Sequence, residues 1–162
     1  MEKHIPPAPE HAVIDIVIGV ADRGGVENVI NMTGAYLIQH DLRVRVVQLV
    51  WEHHAWVDEG IEFYWLSDER EGWDIGGFAG AYADFLRSHD NPDLILATNW
   101  PYMSLIARKA IDMAGVSCLI GSWLHNPIER YKAAGFGGIE ALAYADFHLA
   151  ISSKIAGDIY KQ

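Results

Sequence analysis

Two adjacent glycines, Gly24 and Gly25, lie between an apolar run and a segment with helical periodicity. Glycine lets a backbone approach a ligand closely, and the first N–H groups of a helix attract anions. The G-x-G-x-x-G spacing of a dinucleotide site is absent. The pair therefore predicts either a phosphate-binding turn or a tight turn that packs a helix on a sheet, and spacing alone leaves both open.

A second concentration of reactive side chains lies in residues 121–131, GSWLHNPIERY. His125 could donate a hydrogen bond to a substrate oxygen or transfer a proton, or it could be an ordinary loop histidine. Arg130 could bind a phosphate or form a surface ion pair. The other polar and aromatic candidates for binding a sugar or an acceptor in this segment are Ser122, Trp123 and Asn126.

Asn99 and Trp100 form a third candidate pair. An indole can stack on the face of a sugar ring while an amide bonds to the sugar's hydroxyls. Trp100 could equally well cap the core, because tryptophan carries a large apolar surface. The pair predicts a sugar-binding position at this point of the chain.

Metal and covalent chemistry are not expected. Glu52, His53 and His54 cluster in sequence, but adjacent residues of an extended segment point to opposite sides and cannot easily share an ion. Cys118, the single cysteine, lies in an apolar run typical of a buried side chain, and it indicates a reducing compartment. The sequence contains no G-x-S-x-G elbow, P-loop or C-x-x-C motif.

Apolar, β-branched runs alternate with segments of helical periodicity along the chain. This alternation predicts a parallel sheet with right-handed crossovers, in other words a Rossmann-like three-layer α/β domain. The predicted strands cover residues 13–20, 43–51, 61–67, 92–98, 116–122 and 146–152. The predicted helices cover about residues 26–39, 75–88, 102–114 and 138–144, with a last helix from residue 153. Residues between 122 and 138 are predicted to be irregular.

Ligands of open α/β sheets bind beyond the carboxyl ends of the strands. We therefore expect the groups that follow the predicted strands to face one crevice. These groups are residues 22–27, 52–56, 99–102, 122–130 and 152–153.

Composition limits the class of protein. The 162-residue chain has a formal net charge of −10, which disfavours nucleic acid as a partner. No apolar run is long enough to span a bilayer. Three prolines in the first eleven residues predict a flexible arm over 1–11, followed by one domain over 12–162.

Three segments taken together resemble a known family. GGVENVI near the start, SWLHNPIERY, and LAYADFHLAISSKIAGDI resemble the N-terminal half of family 4 glycosyltransferases of GT-B architecture, over residues 13–162. The order of the SW-x-H and YAD-[FY]-HLAISS runs is most similar to the lipopolysaccharide 1,6-galactosyltransferases within that family.

The resemblance implies an acceptor-side domain of a retaining hexosyltransferase that uses a UDP-sugar, UDP-galactose in the first instance, with no metal and no cofactor. It implies that Gly24 and Gly25 lie against the donor diphosphate and that His125 approaches the donor sugar near the transferred carbon. Attack by the acceptor hydroxyl on the front face of the sugar would need no enzymic nucleophile. The implied acceptor is a lipopolysaccharide-type glycan, another cell-surface glycan or a lipid-linked saccharide.

The resemblance also implies a partner domain. The donor-binding carboxylates and basic residues of the family are not in these 162 residues, so a C-terminal donor domain is expected and the present chain alone should be inactive. The expected location is the cytoplasm, with peripheral association at the inner membrane face if the acceptor is lipid-linked. Residues 132–138 are longer and richer in glycine than in the galactosyltransferases, so the acceptor pocket should differ. The alternative is a stand-alone Rossmann-like module that binds a nucleotide or a partner without catalysis.

Overall fold

The computed structural model describes residues 11–21, 24–51, 56–68 and 74–161. Its strands are β1 (Val13–Ile18), β2 (Arg43–Val50), β3 (Glu62–Ser67), β4 (Leu94–Thr98), β5 (Leu119–Leu124) and β6 (Phe147–Ala150). Its helices are α1 (Gly25–Ile38), α2 (Ile75–Ser88), α3 (Tyr102–Ala114), α4 (Ile128–Ala133), α5 (Ile139–Leu142) and α6 (Ser153–Tyr160).

The described strands form one sheet in the order β3-β2-β1-β4-β5-β6. Every neighbouring pair is parallel, so each connection crosses over one face of the sheet through a helical segment or a longer loop. The order reverses beside β1, where the chain first moves outward to β3 and then returns to β4. The α/β, Rossmann-like prediction is confirmed, and the point of reversal is where such sheets bind ligands.

The sheet is covered on both faces. Every residue of β1 is buried, as expected for a central strand with helices on both sides. One hydrophobic cluster lies between the sheet and the pair α2 and α3, and includes the fully buried Tyr82 and Met103. A second cluster lies between the sheet and α1, and includes Ile16 and Ile30. Helix α1 packs closely enough that a Cβ at Gly34 would lie 2.5 Å from Cδ1 of Ile61.

Capping residues end and begin the helices as their sequence suggests. Gly115 ends α3 in the left-handed conformation at φ 70°, which glycine adopts without strain. Asp74 accepts hydrogen bonds from the N–H groups of Gly76 and Gly77 at the start of α2. The hydroxyl of Ser152 accepts one from the N–H of Ile155 and so caps the start of α6.

The predicted boundaries were wrong around β5. The strand was predicted over residues 116–122 but runs from Leu119 to Leu124. It pairs with β4 as far as Trp123 and with β6 as far as Leu124, and these cross-strand bonds extend the strand beyond its apolar core. The segment after it, predicted to be irregular, contains the short helices α4 and α5.

Two further predictions can be compared with the structure only over the described residues. The flexible arm predicted over residues 1–11 lies outside them except for His11, whose Nδ1 is 3.1 Å from the carbonyl oxygen of Asp41. Within the described ranges, no helix is long and apolar enough to cross a bilayer.

Candidate functional site

A cavity of about 210 Å³ opens beyond the carboxyl end of β1. It lies between the N-terminus of α1 and the segments that follow β4 and β5. Its lining residues are Ile18, Val20, Gly24, Gly25, Val26, Glu27, Asn99 and Asn126. The structure thus brings together predicted site residues from three separate strand ends.

Gly24 and Gly25 form the wall of this cavity at the start of α1. Gly24 is the N-terminal cap residue and is extended, with φ −115°. A Cβ added to Gly25 would find no heavy atom within 4 Å. Packing of the protein on itself therefore does not require glycine at position 25, and the backbone there is open to a ligand.

Glu27 gives the cavity its electrostatic character. The residue is buried, and its Oε2 accepts a hydrogen bond of 2.9 Å from the N–H of Gly24. A carboxylate in the first turn complements the positive end of the helix dipole. The described lining thus contains this carboxylate and no cation.

The hydroxyl of Tyr131, on α4, organises the opposite wall. It donates a hydrogen bond of 2.9 Å to Oδ1 of Asn99. It accepts hydrogen bonds from the backbone N–H groups of His125, at 3.3 Å, and Asn126, at 3.0 Å. Nδ2 of Asn126 lies 3.3 Å from the same oxygen. One buried phenol thereby fixes the ends of β4 and β5 relative to each other.

Asn99 is held in an uncommon backbone conformation. Its φ of 74° is left-handed, a region that asparagine tolerates better than most residues. Its N–H donates a hydrogen bond of 3.0 Å to the carbonyl of Trp123, while Tyr131 holds its side chain. Such conformations are retained where surrounding contacts fix them and cluster at functional sites.

His125 lies directly beside Asn126 and is 9% exposed. Its Nε2 is buried and has no hydrogen-bond partner among the described residues. Burial lowers the pKa of His125 to about 4, although the negative charge of Glu27 acts in the opposite direction. The imidazole is therefore neutral at pH 7, and it can exchange a hydrogen bond with a ligand but cannot act as a standing cation.

Other predicted site residues do not line this cavity. Trp100 is buried and stacks on Phe136, with ring centroids 4.2 Å apart, and a Cβ at Gly19 would collide with its ring. Trp123 is also buried, with its ring 4.9 Å from that of His125. Trp100 therefore covers the core, the alternative that its sequence position allowed.

Ser122 and Arg130 also do not line the cavity. Ser122 lies inside β5, buried, with its hydroxyl 2.7 Å from Nδ1 of His148. Arg130 is exposed beside the cavity, where Nη1 lies 3.4 Å from Oδ1 of Asn126. Their predicted roles in binding an acceptor or a sugar stay predictions.

Sequence reasoning included Glu27 only as part of the group 22–27 expected at the crevice, and it assigned no role to Tyr131. Glu27 stands three residues after Gly24, the capping-box spacing, which is a signal for the contact it makes. Tyr131 ends the segment 121–131, and only the turn of α4 brings its hydroxyl back to Asn99. In residues 11–21, 24–51, 56–68 and 74–161, no group of three metal-ligating side chains is close enough to hold an ion. Residues 22–23 and 52–55, which include Glu52, His53 and His54, lie outside these ranges.

Comparison with known proteins identifies the fold. The sequence matches no family model and no curated protein. The chain is similar in structure to the lipopolysaccharide outer core galactosyltransferase WaaB in its apo form, with a TM-score of 0.70 and 22% identity over 93% of this chain. It is also similar to a Listeria monocytogenes protein assigned as a UDP-N-acetylglucosamine 2-epimerase (TM-score 0.60) and to another UDP-N-acetylglucosamine 2-epimerase (TM-score 0.59), each with 14% identity over 93% of this chain.

The likeness covers only part of each neighbour. The chain spans 42% of the galactosyltransferase, 42% of the Listeria protein and 45% of the other epimerase. A transferase and two epimerases share this architecture, so the fold alone does not determine which reaction a protein catalyses. The present chain has the Rossmann-like α/β fold shared by GT-B proteins.

Proposed function

We propose that this chain is the acceptor-side domain of a retaining, metal-independent hexosyltransferase. The proposed reaction moves galactose from UDP-galactose to a lipopolysaccharide-type or other cell-surface glycan. The observation that carries the proposal is the cavity at the end of β1, where open glycine backbone and two amide side chains converge, with the buried His125 directly before Asn126 in the chain. The sequence resemblance and the structural likeness to WaaB favour transfer over simple nucleotide binding.

The proposal assigns each group a role that its environment permits. The backbone of Gly24 and Gly25 lies against the donor diphosphate, and at Gly25 no heavy atom of the described residues lies within 4 Å of the position that a Cβ would take. The unpartnered Nε2 of His125 exchanges a hydrogen bond with the donor sugar beside the transferred carbon. Asn99 and Asn126 present amide groups that suit sugar hydroxyls. Arg130, at the rim, contributes a positive charge near the acceptor.

The sequence resemblance is the reason to propose a second domain. The donor-binding carboxylates and basic residues of the family are not in these 162 residues, and the chain spans 42% of the length of WaaB. We assign these donor-binding groups to a C-terminal donor domain. The complete enzyme would then work in the cytoplasm, peripherally at the inner membrane face if its acceptor is lipid-linked, and it would have no role with nucleic acid.

The test is a transfer assay on the complete protein with a panel of UDP-hexoses and a lipopolysaccharide core acceptor. We expect UDP release with UDP-galactose and a product of retained anomeric configuration by NMR. His125→Ala should lower kcat/KM by about 100-fold or more. His40→Ala, which changes an exposed histidine at the end of α1, is the matched control and should transfer normally.

Each other outcome selects a different conclusion. Normal transfer by His125→Ala would remove His125 from the site. Epimerisation of UDP-N-acetylglucosamine without transfer would replace the proposed reaction with that of the two epimerase neighbours. Tight UDP-sugar binding by the present chain with no second domain in its reading frame would favour a stand-alone nucleotide-binding module.

A further inference from the structure

Three aromatic side chains form a patch at the outer edge of the sheet, which we call the aromatic edge: Phe63 and Trp65 on β3, and Trp51 directly after β2. The rings of Trp51 and Trp65 lie 4.7 Å apart, and each lies about 6 Å from Phe63, at 6.0 and 6.1 Å. Trp65 is 47% exposed, whereas Trp51 and Phe63 are partly exposed. A group of contacting rings at a protein surface marks an interaction site more often than a single exposed ring does.

Hydrogen bonds and a further ring contact hold the aromatic side chains in place. The indole N–H of Trp65 donates a hydrogen bond of 3.0 Å to Oδ1 of Asp68. Trp56 packs edge-on against Phe63, and its own N–H donates to Oε1 of Gln48 at 2.8 Å. A ligand that stacks on this surface therefore orders few side chains on binding, which favours affinity.

Sheet register places the aromatic edge beside the candidate site. Ile18, which lines the cavity, is paired with Gln48, and Gln48 is paired with Trp65. Residues paired in this way on parallel strands share one face of the sheet, here the face covered by α1. Because strands lie about 4.8 Å apart, the backbone of Trp65 is about 10 Å from that of Ile18. A short oligosaccharide spans that distance.

We infer that the aromatic edge is a stacking subsite for the neutral sugar rings of the acceptor, next to the transfer cavity. This inference rests on the proposed function and adds to it the residues that select a longer saccharide. The flat apolar face of a hexose matches an indole ring, and the ring's hydroxyls can donate hydrogen bonds to the exposed carboxylate of Asp68.

Charge favours a neutral saccharide over a membrane surface. Asp68 adjoins the exposed ring of Trp65, and the chain has a formal net charge of −10. Both features repel the anionic headgroups that hold peripheral proteins at cytoplasmic membranes. Neutral hydroxyl groups meet no such repulsion.

The test measures binding of dephosphorylated lipopolysaccharide core oligosaccharide to the complete protein, by calorimetry and without donor. We expect Trp65→Ala to weaken binding about tenfold, the effect of losing one good aromatic contact. Trp65→Phe, which keeps an aromatic face, should recover part of this loss. Tyr160→Ala is the matched control, because Tyr160 is an aromatic residue that is 89% exposed on α6, at the other side of the sheet. The thermal midpoint of each variant verifies folding.

A transfer assay separates this inference from the proposed function. With the same oligosaccharide as acceptor, Trp65→Ala should raise its KM about tenfold and leave kcat and the KM for the UDP-hexose unchanged. Transfer that is identical in wild type and Trp65→Ala would overturn the subsite and leave the function intact. Saccharide binding that depends on Trp65 in a protein without transferase activity would overturn the function and leave the subsite intact. Trp65-dependent binding to anionic phospholipid vesicles without oligosaccharide binding would assign the aromatic edge to a membrane and overturn the inference.

Discussion

Two buried polar clusters lie in this sheet, toward opposite ends, and they differ in charge. In the amino-terminal half, Asp15 of β1 bonds to Nε of Arg45 at 2.6 Å and accepts a hydrogen bond from the hydroxyl of Tyr82 at 2.8 Å. We call this the ionic cluster, and all three residues are fully buried. At the carboxyl end, Asn99, His125, Asn126 and Tyr131 form what we call the neutral cluster.

Each cluster leaves one buried nitrogen without a hydrogen-bond partner among the described residues: Nη2 of Arg45 and Nε2 of His125. The guanidinium of Arg45 has other compensation, because it lies 5.3 Å from the centre of the Phe85 ring and its Nη1 donates to the carbonyl of Asp90. His125 directly precedes Asn126, which lines the cavity. We treat the unpartnered nitrogen of Arg45 as structural because core encloses it, whereas the proposed function assigns that of His125 to a ligand.

The largest effect that tests this contrast is expected from Arg45→Met. Removing the guanidinium leaves Asp15 buried without its cation, and breaking a buried pair from one side costs about 3–5 kcal/mol of unfolding free energy. Urea denaturation followed by circular dichroism measures the loss. Arg87→Met is the matched control on α2, because its ion pair with Asp84 is exposed and should contribute at most about 1 kcal/mol.

The double variant Asp15→Asn with Arg45→Met sharpens the result. It removes the orphaned charge and should be more stable than Arg45→Met alone. Transfer per folded molecule should not change in any of these variants if the ionic cluster is purely structural. A large fall in kcat at unchanged stability would contradict that assignment.

The second test uses the pKa of His125, which is about 4 in the folded protein and near 6.5 when the chain is unfolded. Between these pH values the unfolded chain binds the additional proton, so acidification favours unfolding. The contribution of His125 to stability is complete above pH 6.5 and is lost as the pH falls toward 4, by about 2–3 kcal/mol.

His125→Gln should remove this part of the pH dependence. The free energy of unfolding is measured for wild type and variant at pH 7 and at pH 4.5. The difference between the two proteins should be smaller at pH 4.5 than at pH 7. His40→Gln, an exposed histidine, should follow the wild-type profile. Parallel profiles for wild type and His125→Gln would show that burial does not hold this imidazole neutral.

The sequence predicted the fold well because its strands are short apolar runs between helices, and burial of both sheet faces imposes that pattern. It also predicted three groups of the cavity, Gly24–Gly25, Asn99 and Asn126, because the ends of parallel strands must meet at one edge. The features that local pattern does not reveal depend on contacts distant in sequence. Trp123 extends β5 by pairing with Thr98, and Trp100 is drawn into the core by Phe136. Neither partner can be read from local pattern.

Tyr131 gives the smallest expected effect and the most selective test of the neutral cluster. Tyr131→Phe removes only the hydroxyl, so the packing of the ring persists while Asn99 loses its donor and two backbone N–H groups lose their acceptor. The expected loss of stability is about 1–2 kcal/mol, because several hydrogen bonds are lost together although Asn99 and Asn126 are only partly buried. Tyr102→Phe is the control, because the hydroxyl of Tyr102 makes no hydrogen bond to a described residue.

The informative quantity is how the loss divides between stability and activity. Asn99 is held at φ 74° partly by Tyr131, so the variant should relax the amide out of the cavity and lower kcat while the thermal midpoint falls only slightly. A fall in stability with unchanged kcat and KM would mean that the phenol joins β4 to β5 for structural reasons alone. The neutral cluster would then resemble the ionic one in purpose, and only His125 would distinguish the carboxyl end of the sheet as a site.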